Sequence, residues 1–183
     1  MNVPSADWVR TDAGTDTVEG LRLLLDLLGR ARSDPYAWVW VLIVLHRTVQ
    51  ASLLECLGTA SLLGRVDEET AQQVYESIHG RADRPSVRML SSKRLYKRAK
   101  ERNEWSVDRS VEEDLALLAG LRDSFLHPLS SSHSIEVALL PTVVDSSFSI
   151  IGLCLSSCSG WQTNGCREEA EQLLKQCRQW GKK

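Results

Sequence analysis

The 183-residue sequence predicts an all-α protein, a bundle of five to six helices. Apolar residues recur at helical spacing along most of the chain, and capping residues such as Asp34, Ser110 and Asn164 precede these runs. Strand-like patterning is confined to the brief run 135–140. Hydrophobic residues make up 43% and charged residues 25% of the chain, ordinary values for a soluble globular protein. The length suits a single domain.

The first two helices are predicted from their start signals. Asp16 begins a pattern similar to a capping box, and leucines at helical spacing follow it as far as Gly29. Asp34 followed by Pro35 is typical of an N-cap and the first helical position, and predicts a second helix running to about Leu63. Because its middle is apolar nearly all round, we expect this helix to lie at the centre of the bundle.

The later helices follow from capping patterns and from the apolar period. Ser110 with Glu113 forms a capping box, Gly80 is a stop signal, and Pro141 starts a strongly apolar helix. The remaining helices are therefore expected at residues 67–78, 110–126, 142–158 and 164–181. The domain boundaries follow: a loose polar segment at 1–14 and one helical domain at 15–183.

The composition indicates the cellular compartment in which we expect the protein. Five cysteines, scattered without a disulfide-like framework, favour a reducing cytoplasm. Cys154 and Cys158 lack the spacing of a zinc site and fall on apolar helix faces, which favours buried thiols. Residues 1–8 lack a signal-peptide pattern, and the apolar run Ala37–Leu45 is too short to cross a bilayer. We expect a cytoplasmic protein with no metal, no cofactor and no membrane partner.

A strongly basic stretch interrupts this near-neutral chain. Residues 81–103 hold nine Lys or Arg and two acidic residues, a local charge of +7, while the rest of the chain carries −9. This is the electrostatic pattern that phosphate backbones select, and an aromatic residue within it could stack on a base. A solvated helix face is the alternative, and both remain open. The candidate nucleic-acid-binding residues are Lys93, Arg94, Tyr96, Lys97 and Arg98.

An arginine and a histidine end the most distinctive helix. Arg122 falls within an apolar stripe that includes Leu118 and Phe125, where a guanidinium must find an anion or hydrogen-bond acceptors. Pro128 disfavours helical backbone at His127, so the helix should end there. The imidazole can then turn back towards Arg122 or face a partner chain.

The sequence Arg-Asp-x-x-x-His from Arg122 to His127 resembles the R-x4–6-H motif of HEPN domains. Residues 34–155 as a whole are similar to a group of bacterial HEPN-like proteins. The resemblance implies a HEPN-like helical bundle and a metal-independent endoribonuclease of the toxin or phage-defence class. It also implies a homodimer in which two motifs face each other, with RNA as substrate and an antitoxin or another regulatory protein as a possible partner. Asp123 stands where asparagine is commoner.

These residue types suit RNA cleavage through the 2′-hydroxyl. Histidine titrates near neutral pH and can accept or give a proton, whereas arginine stays charged and presents a planar fork to phosphate oxygens. We therefore predict Arg122 and His127 as catalytic residues, with Asp123 orienting one of them. His46 and Gln50, one turn apart on the second helix, are expected to line the pocket that holds Arg122.

Two other interpretations stay open. The chain could be a non-catalytic HEPN-like module that binds a nucleotide, nucleic acid or a partner protein. Alternatively, the motif could be purely structural, with Arg122 capping carbonyl groups of its own helix and His127 ending it. His46 and Gln50 could likewise simply satisfy each other or backbone groups.

Overall fold

The computed structural model describes residues 12–58, 68–80, 90–126, 134–157, 161 and 166–180. None of these residues lies in a β-strand, which confirms the all-α class. A short 3-10 turn, Val137–Leu139, leads into the sixth helix. The seven helices of the described residues are α1 (Ala13–Arg30), α2 (Ala37–Cys56), α3 (Glu68–Ile78), α4 (Ser92–Arg102), α5 (Arg109–Leu126), α6 (Leu140–Ser157) and α7 (Cys166–Gln179).

Helix α2 is the central element, as its sequence predicted. It packs against α1, α4, α5 and α6, and thirteen of its twenty residues are buried. At one point α1 approaches it very closely: a Cβ built on Gly20 would lie 2.2 Å from Thr48 Oγ1. The absence of a side chain at Gly20 therefore sets how near these two helices come.

The remaining helices enclose this pair. Helix α6 packs on α2 and α5, and α7 packs on α1 and α6. The rings of Trp38 and Trp180 meet edge to face with centroids 5.5 Å apart. The guanidinium of Arg178 on α7 donates a hydrogen bond to the Phe148 carbonyl on α6, 2.9 Å away. An ion pair between Arg22 on α1 and Glu169 on α7 adds a second polar contact, so apolar packing and polar contacts together hold α7 against the bundle.

Two helix starts differ from the sequence prediction. Helix α1 begins at Ala13, because the Asp12 carboxylate accepts a hydrogen bond from the Thr15 amide at 2.8 Å and acts as the N-cap. The predicted cap, Asp16, lies inside the helix, and the segment 1–14 expected to be loose overlaps α1. Asp34 accepts a hydrogen bond from the Tyr36 amide, so this carboxylate caps a turn and α2 starts two residues later than expected.

The predicted end of α2 near Leu63 is wrong. The helix stops at Cys56, and Gly58 adopts a φ of +84°, a left-handed conformation that ends helices and favours glycine. Helix α5 starts at Arg109, one residue before the expected cap at Ser110. The expected cap Asn164 lies outside the described residues. Helix α4 was not predicted, because its many charged residues drew attention away from its apolar spacing. With α4 the number of helices exceeds the predicted five to six.

Two findings concern the long apolar helices and the cysteines. The stretches Ala37–Cys56 and Val137–Ser157 are long and apolar enough to cross a membrane, although the shorter run Ala37–Leu45 was not. Core helices of bundles pass the same test, and 61% and 50% of the apolar windows of these two are buried inside the fold. Cys56 is disulfide-bonded, which the cysteine spacing did not predict, whereas Cys154 is a buried free thiol as expected. Cys177 is a buried free thiol too, and Cys158 lies outside the described residues.

Candidate functional site

Arg122 lies near the end of α5 with its guanidinium only partly satisfied. Its side chain is 25% exposed, and Nη1 forms an ion pair with Asp123 Oδ1 at 2.8 Å. Nη2 lies 3.5 Å from His46 Nε2 on α2, a long contact. Nε is buried and has no hydrogen-bond partner in the part of the chain that the structure describes. Among the described residues no carbonyl oxygen accepts from Arg122, so the capping role considered from the sequence is not seen there.

Ser92 joins the two polar residues of α2. Gln50 Nε2 donates to Ser92 Oγ at 2.8 Å, and the same hydroxyl lies 2.7 Å from His46 Nε2. Because the hydroxyl accepts from the amide of Gln50, its own hydrogen is available to point at His46. Arg122 Nη2, which can only donate, faces the same ring nitrogen, so both neighbours favour Nε2 as an acceptor and the proton on Nδ1. The predicted pair His46 and Gln50 is therefore joined through Ser92, at the start of α4.

The imidazole of His46 is neutral at physiological pH. Burial and, secondly, the positive charge of Arg122 lower its pKa to about 4, and Asp123 opposes the shift. A neutral ring can accept a hydrogen bond from the guanidinium, but it cannot supply a proton at pH 7. His46 therefore suits a role in positioning Arg122, as expected from the sequence, and does not suit that of a general acid.

The second half of the predicted catalytic pair lies outside the described residues. Helix α5 is described as far as Leu126, and His127 follows it. Of the predicted catalytic set, the structure brings together Arg122 and Asp123, and adds His46 and Ser92. The distance between Arg122 and His127 therefore stays a prediction.

Helix α4 carries the described part of the basic stretch. Lys93, Arg94 and Lys97 are exposed, and Arg98 is half-buried. Tyr96 does not belong to this exposed face: its ring is 9% exposed and its hydroxyl donates to Glu112 on α5 at 3.3 Å. Burial and the nearby Glu112 carboxylate both raise the pKa of Tyr96. The predicted stacking role of Tyr96 is therefore corrected to a packing role between α4 and α5.

A cleft of about 800 Å³ lies between α4 and α5, with α2 as its floor. Its walls are mostly apolar, and His46 and Ser92 lie at one end. Sequence reasoning missed both the cleft and Ser92, because the charges of residues 93–102 suggested an exposed face, either bound to nucleic acid or solvated. The apolar spacing of Leu95, Tyr96 and Ala99 was the available signal for a helix with one buried side.

No group of three His, Cys, Asp or Glu residues that could hold a metal ion occurs within the described ranges. Comparison of the chain with protein-family models, with curated proteins and with solved structures finds no match. The likeness to HEPN domains therefore depends on the motif at Arg122 and on its helical setting, and membership of that family stays a prediction.

Proposed function

We propose that the protein is a metal-independent endoribonuclease of the HEPN type, with Arg122 as the phosphate-binding residue and His127 as the proton-transfer residue. The observation that supports this best is the setting of Arg122. A mostly buried guanidinium lies against a neutral imidazole and one carboxylate, and its Nε has no hydrogen-bond partner among the described residues. A buried cation in this state is stabilised by an anionic ligand.

The reaction uses the nucleophile that RNA itself carries. One histidine removes the proton of the 2′-hydroxyl, and its oxygen attacks the adjacent phosphorus. The bond to the 5′-oxygen breaks, a second histidine protonates that leaving oxygen, and the products are a 2′,3′-cyclic phosphate and a 5′-hydroxyl. Arg122 stabilises the extra negative charge on the phosphate oxygens during attack. Two copies of His127, one from each protomer of a dimer, supply the base and the acid.

Asp123 acts in this proposal as a positioning residue. Its ion pair uses Nη1 of Arg122, and Nη2, which carries two hydrogens and contacts His46 with one, keeps the other for a phosphate oxygen. The carboxylate also places negative charge beside the phosphate, so it weakens phosphate binding while it orients the guanidinium. Asparagine at this position would keep the acceptor and remove the charge.

The exposed cations of α4 support RNA as the ligand. Lys93, Arg94 and Lys97 extend into solvent from a helix whose first residue, Ser92, contacts His46. His46 in turn contacts Arg122, so Ser92 and His46 connect the basic face to the proposed phosphate site. Such a face attracts a polyanion and makes its binding dependent on salt concentration.

Exposed apolar side chains support the two-fold homodimer. Leu117 and Leu126 on α5 are 40% and 48% exposed, and Leu118 is the one fully buried residue among the described side chains of that helix. The adjacent turn adds Val137 and Leu139, which are also exposed. A symmetric face of these residues would bring two copies of α5, and hence two motifs, together.

The decisive experiment is cleavage of mixed RNA by purified protein in EDTA, with an all-2′-O-methyl substrate beside it. We expect cleavage of the first, sparing of the second, and a cyclic phosphate product. Arg122→Ala and His127→Ala should each lower the rate by ~10²–10⁴-fold while the protein remains folded. Arg109→Ala, at the exposed start of the same helix, is the matched control and should keep full activity. Cleavage that persists in His127→Ala would rule the mechanism out.

A second candidate is an RNA-binding module without chemistry. The Arg122–Asp123 ion pair favours it, because the carboxylate already neutralises the cation that cleavage requires. RNA binding that depends on Lys93, Arg94 and Lys97, with no cleavage by the wild-type protein under any of the conditions above, would identify this alternative.

A further inference from the structure

The cleft between α4 and α5 is closed at one end and open at the other. Near the end of α4, Lys100 forms an ion pair with Glu112 on α5 at 2.5 Å, and the Tyr96 hydroxyl donates to the same carboxylate. These contacts join the two helices. The other end, around Ser92 and Ala119, is called the open end because no hydrogen bond or ion pair between described residues joins α4 directly to α5 there. Ser92 and Arg122 are linked at this end only through His46 on α2.

The interior of the cleft is apolar along most of its length. Val49 and Leu53 on α2 form the floor, and Leu115 and Leu118 line the α5 side. The lining residues of α4 run from Ser92 to Glu101, which corresponds to ~14 Å of helix. The buried ring of Trp105 lies at the closed end, where its indole N–H donates to Ser157 Oγ at 2.8 Å. This shape fits a narrow apolar chain that enters from one end.

Charge is distributed unequally along the cleft. Lys93 lies at the open end, where it is exposed and forms none of the ion pairs found within the described residues. The acidic residues Glu101 and Glu104 lie at the other end. Lys97 and Lys100 are each paired with an acid already. A negative group is therefore favoured at the open end and disfavoured at the closed end.

We propose that this cleft binds a single-chain amphiphile with an anionic head group, of the long-chain fatty acid type. The acyl chain lies over Val49 and Leu53, and the carboxylate lies at the open end beside Lys93. A partner helix is a worse fit, because the Lys100–Glu112 ion pair blocks passage along the groove. His46 and Ser92 line the cleft whereas Arg122 does not, and the proposal does not depend on ribonuclease activity.

The first test uses palmitate, below its aggregation concentration, with three matched probes. Octanoate shortens the tail, hexadecyltrimethylammonium reverses the head charge, and hexadecanol removes the charge. Burial of each methylene should tighten binding roughly fourfold, so octanoate should bind far more weakly than palmitate. The cationic probe should bind at least about tenfold more weakly than palmitate. Equal affinity for the anionic and cationic probes would overturn the proposal.

The second test locates the ligand. A dibrominated stearate quenches tryptophan fluorescence at short range, and Trp105 lies in the cleft wall. Part of the quenching should disappear in Trp105→Phe. Ala116→Trp fills the cleft and should abolish palmitate binding, whereas Gly120→Trp, at an exposed position of the same helix that does not line the cleft, should leave it unchanged. Unchanged binding in Ala116→Trp would contradict the assigned site.

The third test separates the head-group contact from general attraction to a basic face. Lys93→Gln should weaken palmitate binding by roughly threefold to tenfold, a modest effect for an exposed cation. Arg94→Gln removes an equally exposed charge that does not line the cleft and should have no effect. Equal weakening by both would mean surface adsorption. Ala116→Trp should keep RNA cleavage, so failure of one proposal is distinguishable from failure of the other.

Discussion

His46 couples the stability of the fold to pH. Its pKa falls from the usual 6.5 to about 4 on folding, so between these values the unfolded chain binds a proton that the folded chain does not. The free energy of unfolding should therefore drop as pH falls from about 6.5 to 4, by up to roughly 3 kcal/mol from this residue. Above pH 6.5 His46 is neutral in both the folded and the unfolded chain, so this residue no longer makes the free energy of unfolding depend on pH.

Denaturant unfolding at a series of pH values checks this, with His46→Gln as the comparison. The carboxylates near the ring, chiefly Asp123, are present in both proteins, so the difference between the two curves isolates the histidine. The free energy of unfolding of the wild type should fall relative to that of the variant as the solution is acidified. Parallel curves from pH 7 to 4 would show that His46 is not held neutral by the fold.

A second residue-level prediction concerns Asp123 and rests on the proposed function. Asp123→Asn keeps an oxygen acceptor beside Arg122 and removes the negative charge next to the phosphate. We expect RNA binding to tighten several-fold and cleavage to rise with it, because the guanidinium is no longer neutralised. Filter binding and cleavage assays measure this, with Glu113→Gln on the same helix as the charge-matched control. A weakening by Asp123→Asn would mean that the ion pair is required to orient Arg122.

At the scale of helices, the close approach of α1 and α2 gives a sharp test. Gly20→Ala puts a methyl group into Thr48, whose hydroxyl is already fixed by a hydrogen bond to the Val44 carbonyl at 2.8 Å. The two helices must separate, which should cost ~1–3 kcal/mol of unfolding free energy. Gly29→Ala in the same helix meets nothing within 4 Å and should stabilise by up to ~1 kcal/mol. In thermal unfolding we expect Gly20→Ala to lower the midpoint temperature and Gly29→Ala to raise it.

The periodicity of the sequence was sufficient to predict helices and the central position of one of them. It was insufficient to predict contacts between residues that are distant in the sequence. The apolar middle of α2 predicted a central helix, and its polar pair His46 and Gln50 predicted proximity to Arg122. Ser92, which joins that pair, is separated from it by more than forty residues, and no local pattern indicates such a contact. The start of α1 was misplaced because Asp12 and Asp16 are both good caps, and packing selects between them.

The whole molecule should be a dimer if the exposed apolar side chains of α5 serve an interface. Leu117→Glu combined with Leu126→Glu should weaken self-association by at least about tenfold, because two charges would be buried in a symmetric face. Leu23→Glu, at a similarly exposed leucine of α1, is the control and should leave association unchanged. Sedimentation of the wild type as a monomer at high micromolar concentration would contradict the dimer and weaken the nuclease proposal.

Helix α4 is anchored less firmly than α2, and this governs access to the buried imidazole. It contributes three buried side chains, Leu95, Tyr96 and Ala99, against thirteen buried residues in α2. Local opening of α4 should therefore cost less free energy than global unfolding, and its amides should exchange with deuterium sooner than those of α2. Since Ser92 belongs to α4, each such opening would uncover His46 and let its ring exchange protons with water. How often that histidine becomes accessible to water therefore depends on how often one short helix opens.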